Sequence, residues 1–371
     1  MNPKIKWLRD KINMENMQGM IISNPINIRY LTGIQAEGVL LITRKENFFI
    51  TDSRYLEDVK STLTINDGII VNDIANISRD DYENFFMFCE NVGFEENYIT
   101  YAAYKKFIEK YKINNFEETE NLIEKQRMLK DVEEIGLIEK ACYITDLCFK
   151  HICEYIKIGM TEKEIAFEIE KFFRDNGADG LAFETIVASG KNTSKPHAIP
   201  TYKKIEIGDP ITIDMGCQYK GYMSDMTRTV FAGYVPVQAQ RVYDLVLKNE
   251  QQTLKEYKDG TSIRLISKMV ENDFKLNGYS LLHSLGHGVG LEIHELPFVN
   301  SKNDNCLKEN MVVTNEPGIY IPGNFGVRIE DTVLITKSGS INLTKSDKNY
   351  IIVGADWKRI TLKYNIILDL V

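Results

Sequence analysis

The stretch that decides the fold is Ile211–Val230, which reads ITIDMGCQYKGYMSDMTRTV. It holds two runs rich in β-forming residues, 211–217 and 222–230, separated by a short turn that ends at Gly221. This pattern predicts a β-hairpin. If the turn is tight, Asp214 and Asp225 fall on directly opposed positions, where Cβ atoms lie roughly 4.5–5.5 Å apart and like charges destabilise the pair. The hairpin therefore requires something that balances two aspartates.

Length and composition place this hairpin in a globular protein of two domains. The chain has 371 residues, of which 43% are hydrophobic and 26% charged, with a net charge of -8 and a pI near 5.4. An acidic chain without a basic patch argues against a nucleic-acid partner. The N-terminus has no apolar signal core, and no apolar run approaches the roughly 18 residues of a membrane span. We therefore expect a cytoplasmic protein with no membrane partner.

The six cysteines do not form a recognisable framework. They are scattered and include no C-x-x-C pair. In a chain of this size they are expected to be reduced and mostly buried thiols, not disulfides or zinc ligands.

The first third of the chain alternates short apolar runs with helical patterns. Runs typical of strands occupy 19–23, 38–43, 47–51 and 68–73, and helical patterns occupy 52–63 and 80–92. This alternation predicts an α/β domain over residues 1–124.

The next segment, 125–353, is predicted to be an α+β domain with a curved antiparallel sheet. Capping-box patterns at Asp131 and Thr161 begin two helices, and a third is expected from about Ser262 to Leu276. Strand-like runs follow at 311–321 and 326–336. Helices followed by runs of antiparallel strands are typical of this class. Residues 354–371 form a C-terminal extension to which no role is assigned.

The histidines of the second domain indicate where a functional site lies. The chain has five histidines, and three of them, His283, His287 and His294, lie in the glycine-rich segment HSLGHGVGLEIHE. His197 lies in SGKNTSKPHAIPT, and only His151 has an ordinary helical context. A lone histidine is more often structural, but a glycine-rich segment that carries three favours a site.

Four acids also stand in strand-like apolar runs, namely Asp214, Asp225, Glu316 and Glu330. An unpaired carboxylate there is costly, and Arg228 and Arg328 would not comfortably neutralise four. A pair of divalent metal ions would neutralise all four and turn the two aspartates of the hairpin into a chelate. Oxygen-rich ligands with one imidazole suit Mn²⁺ and can also hold Co²⁺, Fe²⁺ or Zn²⁺.

These motifs resemble a known family. IDMGCQYKGYMSDMTRT, HSLGHGVGLEIHE, TNEPGIYI and GVRIEDTVLI occur in the order typical of the pita-bread-fold metallopeptidases. With ASGKNTSKPHAIPT they are similar to the Xaa-Pro peptidase branch, which includes aminopeptidase P and prolidase. The segments NPINIRYLTGIQAEGVLLIT and TDSRYLEDVK resemble the creatinase-type N-terminal domain of that branch.

The resemblance implies a role for each motif residue. The metal ligands would be Asp214, Asp225, His287, Glu316 and Glu330, with Asp225 and Glu330 bridging two metals. Glu316 would also act as the proton shuttle. Three histidines, His197, His283 and His294, would surround the substrate, with His294 stabilising the tetrahedral intermediate. Arg328 would orient Glu330 or meet a substrate carboxylate.

The activity implied is hydrolysis of the bond before proline in short peptides by a metal-bridging hydroxide. We expect a homodimer built by the N-terminal domain. Two other readings stay open: a non-catalytic binding protein that keeps the pita-bread fold, and a creatinase-type hydrolase that works without metal. Methionine aminopeptidases generally lack the N-terminal domain, which argues against that activity. Whether the substrate is a dipeptide or a longer peptide is also left open.

Overall fold

The computed structural model describes residues 2–63 and 68–354, and these divide into two units between Arg127 and Met128. The helices of the first unit are α1 (Pro3–Met14), α2 (Pro25–Thr32), α3 (Leu56–Thr62), α4 (Arg79–Asn84), α5 (Tyr101–Tyr111) and α6 (Leu122–Arg127). Its strands are β1 (Gly19–Ile22), β2 (Val39–Ile42), β3 (Asn47–Thr51), β4 (Ile69–Asp73), β5 (Asn91–Phe94) and β6 (Asn115–Glu118).

The six strands of the first unit form one mixed sheet in the order β4-β3-β2-β1-β5-β6. The central strand β1 pairs antiparallel with β2 and parallel with β5, and all four of its residues are buried. A strand that is buried on both faces is a continuous apolar run. The run GMII could therefore be predicted to be a strand from the sequence.

Two helices predicted in this unit are shorter than expected. Helix α3 begins at Leu56 because Asp52 accepts a hydrogen bond from the Arg54 backbone and holds a turn before it. The helix predicted over 80–92 is wrong after Asn84, since the chain leaves α4 and forms the sheet strand β5 from Asn91.

A buried carboxylate links the end of β5 to the start of α2. Glu95 is 4% exposed and accepts hydrogen bonds from the backbone N–H groups of Ser23 and Asn24 and from the Asn27 side chain. Burial raises the pKa of Glu95 to about 7. The group is therefore close to half protonated at neutral pH.

The helices of the second unit are α7 (Val132–Tyr155), α8 (Glu162–Asp175), α9 (Val237–Glu256) and α10 (Ile263–Leu276). Its strands are β7 (Gly180–Leu181), β8 (Ile186–Ser189), β9 (Pro210–Met215), β10 (Cys217–Tyr219), β11 (Tyr222–Met223), β12 (Met226–Ala232), β13 (Gly286–Gly288), β14 (Glu295–Val299), β15 (Val312–Asn315), β16 (Gly318–Ile321), β17 (Phe325–Arg328), β18 (Asp331–Ile335), β19 (Ser340–Asn342) and β20 (Ile352–Val353).

The described strands of this unit form four sheets, of which the two largest are covered by helices; the smaller two have the orders β11-β10-β7 and β16-β17. Of the two largest, one has the strand order β20-β12-β9-β8 and shares a core with α7 and α8, and the other has the order β14-β13-β15-β18-β19 and shares a core with α9 and α10. The capping boxes at Asp131 and Thr161 are confirmed, and Ser262 caps α10. Helix α9 was not predicted. Its N-cap residue is Pro236, which makes no side-chain capping hydrogen bond, so the sequence has no capping pattern at its start.

The hairpin is present, but its register differs from the expectation. Lys220 and Gly221 both have positive φ, 47° and 88°, as in the type I′ turns that suit two-residue hairpin loops. The resulting register places Thr227, not Asp225, opposite Asp214. Asp225 lies two residues before Thr227, so it is a diagonal neighbour of Asp214 on the same face, roughly 7–8 Å away. The expectation of direct opposition was wrong.

The predicted domain boundaries at 124 and 353 stay predictions, and residues 355–371 of the C-terminal extension lie outside the described residues. All six cysteines are free thiols, four of them buried. None of the helices within 2–63 and 68–354 has both the length and the apolar composition needed to cross a bilayer.

Candidate metal centre and active site

A cavity of about 480 Å³ in the second unit brings the predicted site residues together. All nine line it, namely His197, Asp214, Asp225, His283, His287, His294, Glu316, Arg328 and Glu330. They come from segments up to 133 residues apart, from His197 to Glu330. The fold therefore brings the separate motifs to one place.

The acidic residues stand where strands end or bend. Asp214 lies within β9, and Asp225 immediately precedes β12 of the same hairpin. Glu316 lies between β15 and β16, and Glu330 lies between β17 and β18. Asp214 stays paired with both neighbouring strands, whereas the other three acids lie outside the named strands, so their carboxylates can turn into the cavity.

His287 reaches the acids from strand β13. The strand fits tightly between its neighbours, because a Cβ atom on Gly286 would lie 2.1 Å from the Thr314 carbonyl oxygen and one on Gly288 would lie 2.2 Å from that of Leu296. The backbone N–H of His287 donates to the Thr314 hydroxyl. These glycines are therefore required by close backbone approach.

Three of the predicted ligands form a compact group. Ligand atoms of Asp225, His287 and Glu330 all lie within 4.8 Å of one another. His287 Nε2 is 3.5 Å from Asp225 Oδ2 and 3.5 Å from Glu316 Oε1, while its Nδ1 is 3.1 Å from the Gly288 carbonyl oxygen. With the proton on Nδ1, Nε2 presents its lone pair to the carboxylates.

Three of the site carboxylates, those of Asp225, Glu316 and Glu330, are disfavoured in their charged form. Burial raises the pKa of Asp225 well above its usual range, and neighbouring carboxylates, Glu330 first, raise it further. Burial likewise raises the pKa of Glu330 well above normal and that of Glu316 to about 8. Such a set of acids needs additional positive charge to be ionised at neutral pH.

The arginines supply part of that charge. Arg328 Nη2 lies 2.6 Å from Asp214 Oδ2, whereas Arg228 pairs with Asp331 at 2.7 Å and with none of the four acids. Asp214 Oδ1 is buried without a hydrogen-bond partner. Four acids facing one guanidinium, with a free oxygen among them, are a donor set that fits divalent metal ions.

Arg328 donates four hydrogen bonds to protein groups. Besides Asp214, it donates to the Thr227 hydroxyl through Nε at 3.0 Å and, through Nη1, to the Tyr320 hydroxyl at 2.6 Å and the Pro196 carbonyl at 3.2 Å. Thr227 donates in turn to Glu330 Oε2 at 2.6 Å. Arg328 thus reaches Glu330 through Thr227.

The remaining histidines surround the acids. His283 has one ring nitrogen 2.9 Å from the Tyr320 hydroxyl and the other 2.8 Å from the Ser284 carbonyl. The His294 ring centroid lies 4.4 Å from that of His287, and both His294 and His197 are exposed. Burial lowers the pKa of His283 and of His287 to about 4, so both are neutral at pH 7.

Several residues of the site were missed in the sequence. Thr227 and Tyr320 connect Arg328 to Glu330 and to His283, and both belong to motifs that had been recognised for other residues. The apolar wall of the cavity was also missed: it consists of Phe183, Ile186, Ile199, Ile293 and Phe298. Thr227 could have been found from its alternation with Asp225 along the strand, which puts both on one face.

The fold and the site define a metallopeptidase with a creatinase-type N-terminal domain. A model described as metallopeptidase family M24 matches residues 136–337, and one described as the creatinase/prolidase N-terminal domain matches residues 4–129. The chain belongs to metallopeptidase family M24. The predicted fold class, an α/β creatinase-like domain followed by an α+β pita-bread domain, is thereby confirmed, as is the prediction of a metallopeptidase.

Relatives match over almost the whole chain. A Xaa-Pro dipeptidase from Pyrococcus horikoshii is 34% identical, with 95% of this chain and 99% of the relative covered. The structure of a Xaa-Pro dipeptidase from Bacillus anthracis is 36% identical with a TM-score of 0.90, covering 94% of this chain and 99% of that chain. An X-Pro aminopeptidase structure from Thermotoga maritima is 32% identical with a TM-score of 0.84, covering 91% and 98%.

Proposed function

We propose that the protein hydrolyses the peptide bond that precedes proline in short peptides, using two divalent metal ions. The observation that carries this proposal is the convergence of three buried carboxylates, one partly buried carboxylate and one imidazole on a single cavity that contains one guanidinium. The names of the relatives, which include Xaa-Pro dipeptidases and an X-Pro aminopeptidase, support the substrate class.

The proposed metal ligands are Asp214, Asp225, His287, Glu316 and Glu330. Their oxygen-rich character favours Mn²⁺, with Co²⁺, Zn²⁺ and Fe²⁺ as alternatives. When bound, a pair of such ions lowers the pKa of a water molecule and polarises a carbonyl group. The protein contributes the spacing of the ligands, which the rigid hairpin and the corners between strands maintain.

Two residues are proposed to handle the proton and the developing negative charge. Glu316 Oε1 lies beside His287 Nε2, and its Oε2 lies 3.7 Å from His283 Nδ1. In this position the Glu316 carboxylate takes a proton from the attacking water and returns it to the proline nitrogen. His294, exposed at the rim, donates a hydrogen bond to the carbonyl oxygen as charge develops there.

Recognition of proline is assigned to a histidine donor and an apolar surface. A bond before proline has no N–H, so a site cannot recognise it by accepting a backbone hydrogen bond. His197 supplies a hydrogen-bond donor, while Phe183 and Phe298, together with the ring of His283, supply a wall for the pyrrolidine ring. This combination suits an Xaa-Pro bond.

The decisive experiment measures cleavage of a tripeptide Xaa-Pro-Yaa and of its Xaa-Ala-Yaa control by protein loaded with Mn²⁺. We expect hydrolysis of the first only, loss of activity after confirmed metal removal, and recovery when Mn²⁺ is restored. Metal removal should also lower the melting temperature, since a ligand at 100 times its Kd adds about 2.7 kcal/mol of stability.

Other results identify the alternatives. Activity that persists after confirmed metal removal would indicate a creatinase-type hydrolase. Binding of Xaa-Pro peptides without turnover, in the presence of Mn²⁺, Co²⁺, Zn²⁺ or Fe²⁺ in turn, would indicate a non-catalytic binding protein. A metal content of zero per chain after loading with each of the four ions would contradict the metal centre itself.

A further inference from the structure

A buried carboxylate outside the metal centre lies at the first residue of helix α8. Glu162 is 0% exposed, and its side chain accepts six hydrogen bonds. Oε1 accepts from the Ser189 N–H at 2.7 Å, the Ser189 hydroxyl at 2.8 Å and Asn192 Nδ2 at 3.0 Å. Oε2 accepts from Asn192 Nδ2 at 3.1 Å, the Thr201 N–H at 2.9 Å and the Thr201 hydroxyl at 2.6 Å.

This arrangement keeps the buried carboxylate charged. Burial alone would disfavour the ionised form, but hydrogen bonds from Thr201, Asn192 and Ser189 hold the pKa of Glu162 below its usual range. The N-terminus of α8 adds a partial positive charge at the same place. The carboxylate is therefore a stable ionic centre to which the surrounding donors are bound.

All of these donors belong to one loop, residues 189–201, which carries His197. Ser189 and Thr201 are its two ends, so a single carboxylate holds both ends together, and Asn192 spans the two oxygens. On its other side the loop is bound to strand β17, because the Gly326 N–H donates to the Thr193 hydroxyl at 2.8 Å. We name residues 189–201 the clasped loop.

The position of His197 follows from this loop. His197 is exposed and lines the cavity, and it directly follows Pro196, whose carbonyl accepts from Arg328. An exposed side chain is positioned mainly by its own backbone. The backbone of His197 is fixed by Glu162 at the ends of the loop and by Arg328 at its centre.

We propose that Glu162 is a positioning residue that holds His197 in the substrate cavity by clasping the ends of residues 189–201. The inference rests on the proposed function, which gives His197 contact with the substrate. It explains why Ser189, Asn192 and Thr201 accompany His197 in the motif SGKNTSKPHAIPT: these three polar residues serve the buried carboxylate and not the substrate.

The first test compares two carboxylates at the same helix N-terminus. Glu162→Gln keeps the shape of the side chain but places an amide donor against donors of the loop, so kcat/KM for an Xaa-Pro-Yaa tripeptide should fall about tenfold or more. Glu164→Gln is the matched control, because Glu164 caps α8 through Thr161 and makes no contact with the clasped loop. Its kcat/KM should stay within about twofold of wild type.

A double-mutant cycle separates positioning from general destabilisation. If Glu162 acts through His197, then Glu162→Gln combined with His197→Ala should lower kcat/KM no more than about twofold beyond His197→Ala alone. Additive losses in the double variant would contradict the proposal. So would a Glu162→Gln variant with the activity of wild type.

Two further measurements do not depend on catalysis. Trypsin should cleave after Lys191, which is exposed in the clasped loop, faster in Glu162→Gln than in wild type and Glu164→Gln. Mn²⁺ affinity, measured by titration of metal-free protein, should be equal in all three. A weakened Mn²⁺ affinity in Glu162→Gln, or unchanged cleavage after Lys191, would overturn the assignment.

The outcomes for the two proposals can be told apart. If wild type cleaves no Xaa-Pro peptide, the proposed function fails, and the trypsin measurement still decides whether Glu162 holds the loop. If Glu162→Gln does not fold, Ser189→Ala and Thr201→Val each remove one hydroxyl donor from the same carboxylate. Their kcat/KM values should each fall by about threefold or more, and wild-type values would again contradict the proposal.

Discussion

Asp225 is the residue on which metal-free and metal-bound protein should differ most. It is 4% exposed, and burial together with the surrounding carboxylates raises its pKa well above normal. Without metal, the folded chain disfavours the ionised form of this group more than the unfolded chain does, and this costs free energy at neutral pH. In the proposed metal-bound protein the same group would be a ligand, and the metal would favour its ionised form.

Asp225→Asn should therefore have opposite effects in the two states. We expect the metal-free variant to be more stable than metal-free wild type by about 1–4 kcal/mol in urea unfolding at pH 7.5. With Mn²⁺ present, wild type should gain stability and the variant should gain little. As a control, Asp209→Asn breaks the 2.6 Å pair with Lys203 and should destabilise both states alike. A metal-free Asp225→Asn variant that is less stable than wild type would contradict this account.

Single residues also show what the sequence can and cannot predict. The four acids could be recognised because a carboxylate in an apolar run is unusual, and His287 because glycines flank it. Alternation along the strand places Thr227 on the face of Asp225 but does not give its role, and Glu162 has no such signal, since the contacts of these two residues are with partners 103 and up to 39 positions away along the chain. A threonine in a strand and a glutamate at a helix start are ordinary until those partners are known.

Strand β13 shows how the packing of one element determines the position of a site residue. Gly288 pairs with Glu295 of β14 and with Val313 of β15, so the strand lies between two neighbours and carries His287 at its centre. The position of the imidazole is thus set by how closely three backbones approach.

Gly288→Ala should separate these backbones. The added Cβ would lie 2.2 Å from the Leu296 carbonyl oxygen, so strand β13 must shift and carry His287 with it. We expect Mn²⁺ affinity to fall by about 10-fold or more, with a stability loss of roughly 1–3 kcal/mol. Gly339→Ala, where a Cβ meets nothing within 4 Å, is the matched control. Equal Mn²⁺ affinity in the two variants would show that the close approach does not position the ligand.

The link between β5 and α2 in the first unit gives a prediction on pH. The pKa of Glu95 in the folded protein is about 7, raised by burial from a value of 4.5. The folded state therefore binds a proton more tightly than the unfolded state, and the contribution to stability is present below pH 4.5 and lost as pH rises through 7. The shift corresponds to roughly 3 kcal/mol.

Glu95→Gln should remove this dependence. Urea unfolding of wild type at pH 5 and at pH 8 should show a loss of stability that is smaller in the variant. The chain has other titrating groups that also change its stability with pH. The measurement therefore compares, between the two proteins, the slope of the free energy of unfolding against pH. Equal slopes in wild type and Glu95→Gln would contradict the assigned pKa.

At the scale of the whole molecule, the class of each unit was predictable because apolar runs and helix caps are local signals. Helix α2 carried such signals, Asn24 at the cap and Pro25 at its first turn, and was still overlooked. The hairpin register was not predictable from β-propensity alone, because the two-residue turn at Lys220 and Gly221 determines which residues pair. The sharing of one cavity by four distant motifs also depends on tertiary packing.

The cavity as a whole predicts the preferred length of the substrate. Among its described lining residues, Arg328 is the one lysine or arginine, and its hydrogen bonds go to protein groups. A dipeptide ending in proline would bring a carboxylate with no free cation to meet it. We expect Xaa-Pro-Yaa and the amide Xaa-Pro-NH₂ to be cleaved with a kcat/KM about tenfold above that of Xaa-Pro.

The measurement uses one residue Xaa in all three substrates, at equal Mn²⁺ loading. The amide separates the effect of charge from that of length, because it matches the dipeptide in size. A dipeptide cleaved as well as its amide would mean that a cation from outside these lining residues binds the carboxylate.

The free cysteines offer a practical route to labelling the protein. Burial raises the pKa of Cys142 and Cys148 well above normal and that of Cys217 to about 11, so these thiols are poorly nucleophilic. Cys306, in contrast, is exposed. A maleimide fluorophore should therefore label native protein at Cys306 first, without any engineered substitution.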